Sequence, residues 1–160
     1  MIRGFQKQDL PQMMEIWNEV VEEAVAFPQK DPLASVEEAE LFFGEQTFTG
    51  VLLDDGQNIL GLYILHPNNV GRCGHIANAS YAVKSEARGQ RIGEQLVRHS
   101  LTQAKVEGFL IMQFNAVVSS NLAAIHLYEK IGFRRLGTIP GGFLMGDGSY
   151  SDIIPFYMTL

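Results

Sequence analysis

The chain has 160 residues, 46% of them hydrophobic and 19% charged, with a formal net charge of −6 at pH 7 and one cysteine, Cys73. That length lets one domain, residues 1–160, bury a core of its own, and a mixed composition without low-complexity tracts leaves no room for a long disordered segment. The acidic balance argues against nucleic acid as the main partner, a lone cysteine excludes an internal disulfide or cysteine-based metal site, and without an apolar run of about 18 residues or a charged-then-apolar amino terminus no membrane span or signal peptide is expected and a cytoplasmic location is.

Residues 2–5 predict a short first strand. Asp9 then stands as an N-cap, with Pro11 near the start of a helix on which Leu10, Met13, Met14, Trp17, Val20, Val21 and Ala24 form one apolar stripe. The stripe makes Trp17 a core residue. Residues 27–33 read as a loop. Ser35 and Glu38 make a capping box that opens a second helix reaching Phe43. The β-rich runs 47–53 and 59–65 flank Asp54-Asp55-Gly56-Gln57-Asn58, a hairpin signal, and residues 75–83 are the next strand. An antiparallel meander therefore precedes the most informative stretch.

That stretch runs from Val83 to Gly93. The apolar run Ile76, Ala77, Ala79, Tyr81, Ala82 and Val83 ends there, and Leu96, Val97, Ser100, Leu101 and Ala104 then recur at helical spacing. The local order is strand, loop, helix. A helix start leaves its first N–H groups unpaired, so Arg88, Gly89, Gln90, Arg91 and Gly93 can present donors and positive charge to an anion, with the glycines allowing close approach. No Gly-x-Gly-x-x-Gly follows the strand and no Gly-Lys-Ser/Thr occurs, which excludes the dinucleotide fingerprint and the P-loop. An ordinary glycine-rich loop would read the same way.

Residues 110–118 predict an apolar strand, 121–130 a helix, and 133–139 and 151–159 two strands that close the sheet. The run from Pro140 through Gly148 reads as a glycine-rich loop, and Pro155, which lacks an N–H, predicts a sheet edge or a bulge. The histidines at 66, 99 and 126 have no histidine or carboxylate at i+4, so no metal is expected.

Arg88-Gly89-Gln90-Arg91-Ile92-Gly93 resembles the Gln/Arg-x-x-Gly-x-Gly/Ala segment by which GCN5-related N-acetyltransferases (the GNAT superfamily) hold the pyrophosphate of acetyl-CoA. Arg91 stands where that pattern has its first glycine, and a place inside the first helical turn would require neither a positive φ nor a bare backbone. A second block, from Asn121 through Tyr128-Glu129-Lys130-Ile131-Gly132-Phe133, is similar to the family's second cofactor segment, which ends in Tyr-Glu-Lys-Leu-Gly-Phe. The resemblance implies an α/β (α+β) fold with a mixed, mostly antiparallel sheet of about seven strands and about four helices, splayed at a cofactor cleft. It also implies direct acetyl transfer in a ternary complex from acetyl-CoA to a small-molecule amine, by a monomer or a homodimer.

By the same resemblance, the backbone of Tyr81, Ala82 and Val83 pairs with the pantetheine arm and Arg88 to Gly93, Ile92 included, hold the phosphates. Tyr128 takes the place of the proton donor to the departing thiolate, and Asn121 reaches the cofactor. The residue chemistry also admits plainer roles, a packed tyrosine at a helix end and a helix-capping asparagine. Many family members carry a glutamate base on the strand before the cradle, whereas His75-Ile76-Ala77-Asn78-Ala79-Ser80 has no carboxylate. A water wire, His75, or an acceptor that arrives neutral are the alternatives. More narrowly, His75 to Ala79, Phe114-Asn115 and Asn121 resemble the fungal acetyltransferases of azetidine-2-carboxylate and related imino acids, which implies that Asn78 and Asn115 bind the acceptor. Amide side chains suit a carboxylate and an amine, and equally suit strand-edge backbone groups. Two other functions stay open: a CoA-binding module without catalysis, given the missing glutamate, and peptide acetylation, for which Glu37, Glu38 and Glu40 would supply an acidic groove.

Overall fold

A computed structural model describes residues 1–160. The elements are β1 (Ile2–Gly4), α1 (Leu10–Glu23), α2 (Val36–Gly44), β2 (Phe48–Leu53), β3 (Ile59–Pro67), β4 (Ile76–Val83), α3 (Ile92–Val106), β5 (Ile111–Val118), α4 (Leu122–Ile131), β6 (Arg134–Arg135), β7 (Ile139–Leu144) and β8 (Tyr150–Thr159). They form one sheet in the order β1-β2-β3-β4-β5-β8-β6, with β7 also paired to β8. Every pairing is antiparallel except β4 with β5. No helix is long and apolar enough to cross a membrane.

Alternation along the strands sends side chains to two cores. Leu62 and Ile64 of β3, with Val51, Leu53 and Ala82, pack under α1 and α2 around Trp17 and Phe43. Their neighbours Tyr63 and Leu65, with Ala79, Met112 and Phe114, face α3 and α4. The α1 stripe is buried at Leu10, Met13, Trp17, Val20 and Val21, as its spacing predicts, and Ile16 joins it. At α2 the Ser35 Oγ accepts from the Glu38 N–H at 3.1 Å, while the Glu38 carboxylate reaches one residue further back than the capping box predicts, to the Ala34 N–H at 2.7 Å.

Three expectations are corrected. Asp9 occupies the cap position of α1, but its carboxylate turns back to accept from the Gln6 N–H at 2.7 Å and from Arg3 at 2.7 and 3.0 Å. The buried carboxylate finds a cation there, and the helix start does without it. The strand expected over 133–139 shrinks to Arg134–Arg135, and the glycine-rich loop expected over 140–148 contains β7, so the sheet has eight strands. Glycine is used in β7 for space: a Cβ on Gly142 would lie 2.5 Å from Ile153 Cγ1 across the pair. Pro155 lies inside β8, opposite the register shift between Phe114 and Val117 of β5, so the predicted bulge is present on the partner strand.

Candidate active site

Strands β4 and β5 pair only at Ile76 with Ile111 and Ala77 with Met112, after which the ladder ends. The bulge in β5 opposite Pro155 accompanies this parting. The two strands splay, leaving one edge of β4 without a partner. Lys84 N–H donates to the Leu60 carbonyl at 2.9 Å, which sets the alternation: Ala82 also turns its N–H toward β3, whereas Ala79, Tyr81 and Val83 present theirs to the gap. Ala82 is thus excluded from the gap, its backbone facing β3 and its methyl buried under α1.

Two cavities meet at this splay. The larger, about 760 Å³, lies between β4, the start of α3 and the face of α4, walled by Tyr81, Val83, Arg88, Gly89, Arg91, Ile92, Gly93, Asn121 and Leu127. No side chain caps α3, whose first intrahelical bond is Gln95 N–H to the Arg91 carbonyl, so the N–H groups of Ile92, Gly93 and Glu94 stay available. Gly93 faces both Val83 and Leu127, where a Cβ would begin to fill the cleft. Gln90 turns away, its side chain donating to the Glu86 carbonyl at 3.4 Å.

Arg91 departs from expectation. It is the N-cap residue at φ 60°, ψ 20°, outside the first helical turn, in the left-handed region that the family's glycine suits. Arg88 is held by Glu23 of α1, Nη2 to Oε1 at 2.6 Å, which ties the cradle to the first helix. At the α4 side, Glu94 pairs with Lys130 and Arg98, both at 2.8 Å, and these two cations hold its carboxyl down to about 2. Glu23, Glu94 and Lys130 all border the cleft.

The smaller cavity, about 210 Å³, lies on the other side of the splay and is lined by Ala26, Phe27, Pro28, Asn78, Ser80, Tyr81, Phe114, Asn115, Asn121 and Tyr128, among others. Tyr81 and Asn121 belong to both cavities. Asn78 and Asn115 are brought together through a residue that the sequence did not single out: Asn68 Oδ1 accepts from Asn78 Nδ2 at 3.1 Å and from Asn115 Nδ2 at 2.6 Å. They pair with another amide and leave the strand-edge backbone alone. The only signal for Asn68 is the hairpin register that sets His66 against Asn78, a long-range fact. No carboxylate or histidine lines this pocket. His75 precedes β4 at the closed end of the β4–β5 pair, where its carbonyl binds the N–H groups of Leu110 and Ile111.

Tyr128 sits in the last turn of α4. Gly132, at φ 116°, ends that helix, and the N–H groups of Gly132 and Phe133 both donate to the Tyr128 carbonyl, at 3.1 and 3.0 Å. Its ring packs on Phe114 (centroids 4.5 Å apart) and Phe133 (5.6 Å), which fixes its direction. Burial pushes the phenols of Tyr81 and Tyr128 above their usual range, so both are protonated at neutral pH. Tyr81 hydrogen-bonds Ser100 at 2.7 Å. Asn121 caps α4, accepting from the Ala124 N–H at 3.3 Å, and faces both cavities as well.

The arrangement joins a donor-rich helix start, an unpaired strand edge and a partly buried phenol at one splay of the sheet. A family model described as the acetyltransferase (GNAT) family matches residues 10–133. The N-acetyltransferase aca1 of Schizosaccharomyces pombe is 36% identical over 101 residues, 62% of this chain; the chain spans 48% of that protein's length. The L-methionine sulfoximine/L-methionine sulfone acetyltransferase of Pseudomonas aeruginosa is 27% identical over 146 residues, 87% of this chain and 83% of that one. Among solved structures, a GCN5-related N-acetyltransferase from Kribbella flavida superimposes with a TM-score of 0.91 at 30% identity, covering 100% of this chain and 97% of that one.

Proposed function

The chain belongs to the acetyltransferase (GNAT) family, and on that premise we propose that it transfers the acetyl group of acetyl-CoA to the amine of a small amino or imino acid in a ternary complex. The observation that carries this reading is the pair of cavities meeting at Tyr81, on the open edge of β4, and at Asn121, the cap of α4. The larger takes the cofactor, with its diphosphate against the N–H groups of Ile92 and Gly93 and the side chains of Arg88 and Arg91, and its pantetheine arm against the backbone of Tyr81 and Val83. The smaller takes the acceptor, between Asn78 and Asn115.

In the reaction the amine lone pair attacks the acetyl carbonyl carbon, a free N–H on β4 stabilises the developing oxyanion, and Tyr128 gives a proton to the departing thiolate. A pocket without carboxylate or histidine offers no base, so the acceptor enters as the neutral amine and loses its second proton to water, from which Tyr128 regains the proton it gave. The size of the pocket favours a compact acceptor. The two related acetyltransferases support transfer to nitrogen and to an amino-acid-like molecule, and the asparagines support azetidine-2-carboxylate or a similar cyclic imino acid as the narrower choice.

The missing carboxylate also favours a second reading, a CoA-binding module without turnover. One assay separates the two. Thiol release from acetyl-CoA, followed across amino acids, cyclic imino acids and peptides, is expected with the first two classes; binding of acetyl-CoA with no release on any amine overturns the enzyme reading for these acceptors.

A further inference from the structure

Asn78 and Asn115 stand on strands that have already parted. Their nearest shared ladder residues are Ala77 and Met112, so no backbone hydrogen bond between β4 and β5 sets how far apart the two amides lie. The link between them is Asn68, one oxygen of which accepts from both, at 3.1 and 2.6 Å. Asn68 is itself fixed at the backbone, its N–H donating to the Ile76 carbonyl at 2.7 Å. Gln113 Nε2 completes the chain by donating to Asn115 Oδ1 at 3.0 Å. Asn68 does not line the acceptor pocket.

We infer that Asn68 is the positioning residue for the acceptor: it holds the Asn78 and Asn115 amides at a fixed separation across the splay and so sets the affinity for the acceptor. The inference rests on the acetyltransferase reading above and deepens it. An amide at 68 can serve two donors with one carbonyl oxygen, and a side chain without that oxygen frees the Asn78 amide and leaves Asn115 held only by Gln113. Because the residue acts through its neighbours, its removal acts on acceptor binding and leaves the cofactor cleft, which lies on the other side of Tyr81, alone.

The test is steady-state acetylation of the acceptor that wild type turns over, with acetyl-CoA affinity measured separately. Asn68→Ala is expected to raise the KM for the acceptor about tenfold, the effect of losing a well-placed hydrogen bond, with kcat and acetyl-CoA Kd near wild type. Asn68→Asp keeps the shared acceptor oxygen and is expected to restore most of the loss. In the Asn78→Ala, Asn115→Ala background, adding Asn68→Ala is expected to change kcat/KM no further. An unchanged KM in Asn68→Ala, equal losses in the alanine and aspartate variants, or an additive effect in that background would each overturn the inference while the acetyltransferase reading stands. A wild type that acetylates no amine would overturn both.

Discussion

In the proposed reaction Tyr128 is the residue on which the chemistry turns. Its ring packs against both Phe114 and Phe133 and its phenol is protonated at neutral pH, so phenylalanine would keep the packing and lose only the hydroxyl. Tyr128→Phe is expected to lower kcat about a hundredfold and to leave acetyl-CoA Kd unchanged in calorimetry; equal turnover would remove its acid role. Arg91 carries a different conflict. Its left-handed backbone is unfavourable for any residue with a Cβ, so Arg91→Gly should raise stability by about 1 kcal/mol, seen as a higher melting temperature, while loss of the guanidinium weakens acetyl-CoA binding. Tyr128, Asn121 and the cradle could be named as candidates from sequence because they lie in contiguous blocks. Asn68 could not, because its inferred role depends on the pairing of β3 with β4, and neither could the left-handed turn at Arg91, because spacing alone does not distinguish a cap from a first turn.

At the scale of elements, the order of helices and strands was legible wherever a pattern of period 3.6 or a short β-rich run bounded by turn residues held, from the α1 stripe to the apolar run of β3. It failed at β7, where Pro140, Gly141 and Gly142 have poor intrinsic strand preference and pairing with β8 overrides it. The contact between Gly142 and Ile153 makes this testable: Gly142→Ala should destabilise by about 1–3 kcal/mol, read from denaturant unfolding, and an unchanged midpoint would show that β7 yields freely. Asp9 ties β1 to the entrance of α1. Burial pushes its carboxyl up, but the hydrogen bonds from Arg3 and the Gln6 N–H, with the charge of Arg3, bring it below its ordinary 3.8. A carboxyl lowered in the folded state contributes its stability above the unfolded pKa and loses it as pH falls through the folded one. Asp9→Asn should therefore cost about 1–3 kcal/mol at pH 7, and its melting temperature should converge on wild type as pH drops below 3.8.

For the molecule as a whole, the splay of β4 and β5 creates both cavities at once, and the sheet can part there because β5 is held on its other side by β8. The fold and the cleft proposed for the cofactor were readable from two motifs in order; the pocket proposed for the acceptor was readable only as a pair of asparagines, since its walls come from the segment after α1 (Ala26, Phe27 and Pro28), β4, β5 and α4 together. A pocket without a base ties the acid limb of the pH–rate profile to the acceptor. That limb should move with the pKa of the amine when acceptors of different basicity are compared, and a limb fixed at one pH for every amine would point to an enzyme base. The most direct test of the whole reading is the change in backbone amide resonances when CoA is added. A diphosphate seated on the start of α3 predicts the largest shifts at Gly89, Arg91, Ile92 and Gly93, followed by Tyr81, Val83 and Asn121. Binding that leaves those amides unmoved and shifts another surface would contradict it.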